Sequence, residues 1–427
     1  MRMSRRKFSL ILASSAMGTF VPGVWARGIA GGSQGKAHPA GSSSAFSDID
    51  MTNPRLNPFR FRAVNLRTHI RLGINHIYAG AIDRRQRCLP FARFNLTKAP
   101  TRARHEYWGG PYMVGRFLDA LAVSSEVIDI PPNEEADQSL RNLLHSSLRN
   151  PSGFAFDAGP AQNGKRGAAM HNFREVRLGL LALTTWKRCE RSAELARGFV
   201  RTIEKATRGT GLFPSPYLYE EGWGKPEKDQ INSTSGRLIG ALVKYYRQTK
   251  DDLAVQLAKR FADVNIAKTF TADGELTELA GSHLHSTEGT MTAFLDLGVV
   301  TGEKRHFEIG HRLYDVGLRR WRTSFGWARE GPDSTPGRGE ANNTGDFLEA
   351  AVILGLTAYP EYFRDAEDII RNGLLAAQLV NTDWIAQSTA KDTEEYAYRD
   401  IRRRAKGAFA ITRAIGEVKK ELLFRKF

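Results

Sequence analysis

Two short segments of this 427-residue chain concentrate the side chains that do acid, base and ligand chemistry. HLHSTE places His283, His285 and Glu288 within six residues, and WAREGPDSTPGRGEANN places Glu330, Glu340 and Asn342 on one glycine-rich link. Paired carboxylates suit hydrolysis of a glycosidic bond, which needs one protonated carboxyl to donate to the leaving oxygen and one ionised carboxylate as base or nucleophile. Glu330 reads as the general acid, Glu340 as the opposing carboxylate or a substrate clamp, and Glu288 as the third candidate. His283 and His285 suit hydrogen bonds to sugar hydroxyls or a helix cap. With Glu288 they would also make three metal ligands, but an HxH pair alone does not specify a metal, and no metal or cofactor is expected. His171 and Asn172 are further polar candidates for substrate binding. Trp108, Trp223 and Trp327, with Tyr217 and Tyr219, suit stacking on sugar rings, and serve equally as wedges between helices. Asn343 and Asp346, three apart before an apolar run, read as a helix cap, which frees Glu340 and Asn342 to point elsewhere.

A repeated helical unit positions these residues. Gly115 in GRFLDALAV, Gly236 in GRLIGALVKYY, Gly289 in GTMTAFLDLGVV and Gly345 in GDFLEAAVILG open equivalent apolar segments, and VRLGLLALTTW from Val176 keeps the spacing without the leading glycine. Each has one buried face at helical periodicity. In four copies a polar break follows (KRCERS, RQTKDD, TGEKRH, TAYPEYFRD) and then a second helix, so the unit is a helical hairpin of about 50 to 60 residues. The helix near Leu66 to Ile77 supplies part of a first hairpin, and the tail after Thr393 part of a last. Stacked hairpins make a solenoid or a closed ring. The long links rich in Gly, Pro, Trp and Tyr favour the ring, because solenoid turns are short and regular. The expected fold is therefore all-α, an (α/α)6-type toroid. His105 and Trp108, His171 and Asn172, Asn232, His283 with His285 and Glu288, and Glu340 with Asn342 all fall where the first helix of a hairpin starts, hence on one shared rim.

The amino terminus is of another kind. Residues 1–26 carry Arg5 and Arg6 in Ser4-Arg5-Arg6-Lys7-Phe8 before an apolar run broken by Ser14, Ser15, Gly18 and Pro22, with no acidic residue. This reads as a twin-arginine export signal rather than a membrane anchor, so a periplasmic or secreted protein is expected. Residues 27–50 read as a Gly/Ser-rich linker and 51–427 as the toroid domain. The net charge is +16, and cleavage after Ala26 would remove Arg2, Arg5, Arg6 and Lys7 to leave +12. A basic exported protein favours acidic partners such as uronic-acid glycans. The basic residues are scattered apart from RDIRRRAK and no nucleic-acid module is present, so nucleic acid is not expected as a partner. Cys88 and Cys189 are too few for a disulfide framework, and the sequence leaves their pairing open.

Residues 281–379 resemble the bacterial β-L-arabinofuranosidase family and its six-hairpin relatives. HLHSTEGTMTAFLDLGVVTGEKRHFE, SFGWAREGPDSTPGRGE, NNTGDFLEAAVILG and YPEYFRDAEDIIRNGLLAAQL come in the same order. The resemblance implies that Glu330 matches the acid/base glutamate and Glu340 a glutamate that ligates zinc there, with cysteines completing the zinc site and supplying the nucleophile. Here the neighbouring cysteine position is Asn342, and after KGAFAITR the chain runs into AIGEVKKELLFRKF without the cysteine pair, so the domain is expected to lack the carboxyl-terminal part usual in relatives. Carboxylate chemistry remains. The expected function is an exported glycoside hydrolase acting on an acidic or decorated poly- or oligosaccharide. Alternatives are a polysaccharide lyase on the same toroid, with His171, Asn172 and Tyr219 as candidate groups, and a non-catalytic glycan-binding envelope protein.

Overall fold

The computed structural model describes residues 64–105, 110–157, 165–228, 230–331 and 339–409. The export signal, the linker and Trp108 lie outside the described residues. Helix α1 (Leu66–His76) runs on through a wider turn, Ile77–Ala81, into strands β1 (Ile82–Asp83), β2 (Leu89–Asn95) and β3 (Arg102–His105). Five hairpins follow. They are α2 (Gly110–Ser125) with α3 (Glu134–Ser147), α4 (Phe173–Thr185) with α5 (Glu190–Thr207), α6 (Arg237–Thr249) with α7 (Asp252–Thr269), α8 (Leu284–Thr301) with α9 (Lys304–Arg312), and α10 (Ala341–Thr357) with α11 (Tyr362–Asp368). No helix among the described residues is long and apolar enough to cross a membrane.

The first helices of the hairpins pack consecutively, α2 on α4, α4 on α6, α6 on α8 and α8 on α10, and form the inner wall. Their second helices turn an amphipathic face inward: α5 buries Ala196, Phe199, Val200 and Ile203. Helix α8 is enclosed on nearly all sides, and its buried residues are correspondingly not confined to one stripe. One continuous core runs from Ile74 to Ile370, as expected when no single hairpin can bury its own face.

Gly115 shows what the repeated glycine does. A Cβ there would lie 2.1 Å from the Glu175 carbonyl oxygen, and one on Gly179 would lie 2.6 Å from the Gly115 Cα. Gly179, three residues into VRLGLLALTTW, thus meets Gly115 across the contact, and the two backbones touch. Gly345 is different, because a Cβ there meets nothing within 4 Å.

The links contain strands that helical periodicity does not announce. One sheet has the order β1-β2-β3-β7, with β7 at Tyr396–Ala397, all antiparallel. A second is β4-β5-β6, built from Gly167–Ala169, Tyr217–Tyr219 and Gly222–Trp223. Helix α12 (Ile401–Ala405) follows β7 and packs on the Ile77–Ala81 turn. Cys88 and Cys189 are both free thiols.

Gly115→Ala should cost about 1–3 kcal/mol, because the added methyl drives α2 off the α4 backbone. Gly345→Ala should be neutral or gain about 0.5–1 kcal/mol from helix propensity. Urea denaturation of the two variants checks the contrast.

Candidate active site at the starts of the inner helices

Each inner helix carries a charged side chain beside its phase-marking position: Arg116, Glu175, Arg237, Glu288 and Asp346. The packing brings them together. Glu175 Oε1 accepts hydrogen bonds from Arg237 Nη2 at 2.6 Å and Arg116 Nη2 at 3.2 Å, and Arg174 stands 4.0 Å away. Arg116 Nη1 donates to Asn342 Oδ1 at 2.9 Å, which links α2 to α10 across the ring. The Arg116 guanidinium also lies 4.4 Å over the Tyr112 ring. Burial alone would raise the proton affinity of Glu175, but Arg237, Arg116 and Arg174 together hold it below the ordinary carboxylate value.

Asp346 faces this cluster from α10. Its Oδ2 meets His285 Nδ1 at 2.6 Å, and Arg174 Nη2 lies 3.7 Å from its Oδ1. The cap expected from Asn343 and Asp346 is therefore corrected. The helix already begins at Ala341, behind Glu340, so both residues lie inside it. Asn343 donates to the Arg329 carbonyl and ties down the link, while Asp346 is buried on the second turn. Burial raises Asp346 to about 6 in spite of Arg174, Arg237 and Arg116. His285 is held well below its ordinary value by burial and by the same arginines, so the ring is neutral at neutral pH. A neutral ring that donates from Nδ1 to the carboxylate leaves Nε2 as an acceptor, and Nε2 is buried without a partner.

Glu288, one turn further along α8, is fully buried with neither oxygen hydrogen-bonded. Burial, then the nearby Asp346 and Glu340, push its proton affinity well above the ordinary range, so it stands as a neutral acid. His283 shares a 2.6 Å hydrogen bond with Ser286 Oγ, and its ring lies 5.1 Å from His171 and 5.9 Å from His285. Burial and Arg237 lower His283 to about 4 and His171 well below its usual value. His283 nevertheless keeps an exposed edge and His171 a half-exposed one, as expected of side chains that line a recess.

The link before α10 brings the two other glutamates together. Arg329 pairs with Gly339 in an antiparallel bridge, and Glu340 N donates to the Ala328 carbonyl at 3.2 Å, so the residues next to Glu330 and Glu340 are paired. Burial and then the charge of Glu330 raise the proton affinity of Glu340.

Other expected positions have local duties. Asn172 is buried where α4 begins. Asn232 donates to the Ala280 carbonyl and Thr287 Oγ1, fastening α8. His105 is locked in the first sheet between the Pro90 carbonyl and Asp83, stacked 4.2 Å from Phe91. Trp223 is exposed and lies edge-on to Phe154, whereas Trp327, 2% exposed and packed against Ala341 and Ala377, is a wedge with no ring face open to a sugar. No group of three His, Cys, Asp or Glu side chains among the described residues is placed to hold a metal ion, and His283, His285 and Glu288 are not such a group. Sequence reasoning missed Arg116, Arg174, Glu175 and Arg237 and gave Asp346 a capping role. The signal was the recurrence of one charged residue beside each phase-marking position.

Comparison with known proteins agrees with this architecture. Residues 184–380 match the β-L-arabinofuranosidase GH127 catalytic domain. The chain has an (α/α) toroid fold, and residues 184–380 resemble the β-L-arabinofuranosidases. A D-mannose isomerase superposes with a TM-score of 0.59 at 14% identity, over 84% of this chain and 97% of that one. An unsaturated glucuronyl hydrolase specific for heparin gives 0.53 at 9%, over 85% and 98%. A family 76 glycoside hydrolase from a bovine Bacteroides thetaiotaomicron strain gives 0.50 at 10%, over 80% and 76%. At these identities the likeness is one of fold. No curated protein sequence matches the chain.

Further down the inner wall, burial raises Glu349 from 4.5 to about 8, with Asp346 and Asp296 adding to the rise and Arg174 and Lys244 opposing it. The folded protein thus holds this proton more tightly than the unfolded chain does. The cost of ionising it is absent below about pH 4.5, grows as the pH rises, and is complete above about pH 8. Glu349→Gln should therefore melt with the wild type near pH 4 and above it at about pH 8.5. Melting curves at the two pH values decide, and a difference of equal size at both would contradict the assignment.

Proposed function

We propose that the chain is a glycoside hydrolase acting on an acidic or decorated glycan through the pair Glu330 and Glu340. What supports this reading is the Arg329–Gly339 bridge next to both glutamates, together with the rise in the proton affinity of Glu340 from burial and the charge of Glu330. Ionising one of two neighbouring carboxylates disfavours ionising the other, which leaves one proton to donate and one charge to act as base or nucleophile. The raised affinity of Glu340 supports it as the donor, with Glu330 as the base or nucleophile. The roles are thus exchanged relative to those expected from the link sequence. Asn342 beside Glu340, and His171 and His283 at the starts of the neighbouring inner helices, would supply hydrogen bonds for sugar hydroxyls. Buried donors without partners, Arg174 Nη1 and Arg237 Nη1, support an anionic group on the substrate.

A second reading, β-elimination at a uronate, is favoured by one feature. The bare Nε2 of His285, backed by Asp346 and surrounded by arginines, has the form of a base beside a carboxylate neutraliser. Ultraviolet absorbance from an unsaturated uronide product would select it over hydrolysis.

Glu340→Gln should abolish turnover of a glycan with a poor leaving group, since an amide cannot donate an acidic proton, and should spare turnover of an aryl glycoside whose leaving group needs no proton. Glu330→Gln should lose both. Steady-state kinetics on the two substrate types check the assignment, and wild-type rates in either variant on the natural glycan would overturn it.

Export by the twin-arginine route belongs to the same proposal, supported by Arg5 and Arg6 before the apolar run. Replacing both by lysine should leave folded protein in the cytoplasm. Cell fractionation reads the outcome, and undiminished export would refute the routing.

A further inference from the structure

RDIRRRAK is a basic run that the candidate active site does not use. The fold carries it to the opposite end of the chain. Helix α12 lies against the Ile77–Ala81 turn so closely that a Cβ on Gly80 would sit 2.0 Å from the Arg404 carbonyl oxygen, and His76 Nδ1 meets that oxygen at 2.7 Å. Arg403 and Arg404 thereby face Arg84 and Arg85 from the β1–β2 turn across a cavity of about 260 Å³, whose one acidic lining residue is Asp83. The cavity shares no residue with the cleft.

Most of these charges are already compensated. Arg84 pairs with Glu135, Arg85 with Asp83 and with Asp392 at 3.1 Å, and Arg403 with Asp400 at 3.6 Å, while Asp83 also holds His105 at 3.1 Å. Arg403 Nη1 also donates to the Ala79 carbonyl at 3.2 Å. Arg404 is the exception. Among the described residues no carboxylate pairs with it; its Nη1 reaches only the Gly80 and Ile82 carbonyls at 3.4 Å, its guanidinium lies 5.2 Å from the Phe91 ring, and its Nε is buried without an acceptor. A half-buried guanidinium with a spare buried donor, next to three more arginines, lacks one acceptor group. The planar fork of a guanidinium matches a carboxylate or sulfate.

We propose that this cavity is an anion-binding site separate from the cleft, in which Arg404 and Arg403 hold the carboxylate or sulfate of an acidic sugar. The closeness of Arg403 and Arg85 supports it, since burial and their charges, opposed by Asp83, pull Arg404 below its ordinary proton affinity. A bound anion would reverse that. The site is independent of the hydrolase reading, because neither Glu330 nor Glu340 touches it.

Calorimetric titration of the full chain with glucuronate and with inorganic sulfate, against chloride at equal ionic strength, tests the proposal. Saturable binding is expected, weakened about tenfold in Arg404→Gln, which removes a charge-assisted hydrogen bond. The same loss is expected in Arg84→Gln/Arg403→Gln, whose two positions are exposed and whose fold is therefore secure. Glucuronate binding more tightly than sulfate identifies a sugar acid as the source of the anion; equal affinity identifies a bare ion. No binding beyond the chloride control, or wild-type affinity in both arginine variants, overturns the site.

Discussion

The inner wall closes around one buried carboxylate. Glu175, 2% exposed on α4, is held by Arg237 from α6 and Arg116 from α2, and Arg116 reaches on to Asn342 of α10. Four of the five inner helices meet through this one cluster. A buried charge is tolerable only where its partners are fixed in place, so the cluster and the ring depend on each other. Removing Glu175 would leave two guanidinium groups facing each other in a dry interior, and removing either arginine would leave the carboxylate short of a donor.

The cluster also prepares the recess for chemistry. Burial, aided by the arginines that hold Glu175 ionised, keeps the proton affinities of His171, His283 and His285 low, and burial raises that of Glu288 beside them. Neutral acceptors, a neutral acid and fixed positive charges thus occupy one small volume without prior proton transfer. Such an arrangement is preorganised in the electrostatic sense: the dipoles and charges are in place before a substrate enters. The unpartnered polar atoms belong to the same logic, because buried groups without partners are costly to a fold and useful to a ligand.

The glycine-rich link before α10 serves a different purpose from the inner helices. It folds back on itself through the Arg329–Gly339 bridge and is fastened by Asn343 and by Thr344 Oγ1, which accepts from Ala328 N at 3.1 Å. Asn343, which looks like a cap, is thus a tie between link and helix, as is Thr344. The four-stranded sheet does the same at the other end of the chain, where β3 pairs with both β2 and β7 and so brings residues 84–85 and 403–404 to one cavity.

Hairpin number, helix phase and the all-helical class were legible in the chain itself, because apolar spacing and close-approach glycines are local consequences of one helix touching the next. The placement of His171, His283, His285, Glu288, Glu340 and Asn342 at the starts of inner helices followed from phase alone. Which side chain meets which did not. Asp346 reads as a cap from its neighbours in sequence and becomes a histidine partner only when α8 is laid beside α10. Arg116, Glu175 and Arg237 stand out only when three helices converge on one point, and burial decides for Trp327 between a sugar platform and a wedge. Local sequence determines periodicity and turn chemistry, which act over a few residues. Proton affinities and ion pairs depend on burial and on groups sixty or more residues away, so only the tertiary structure decided them.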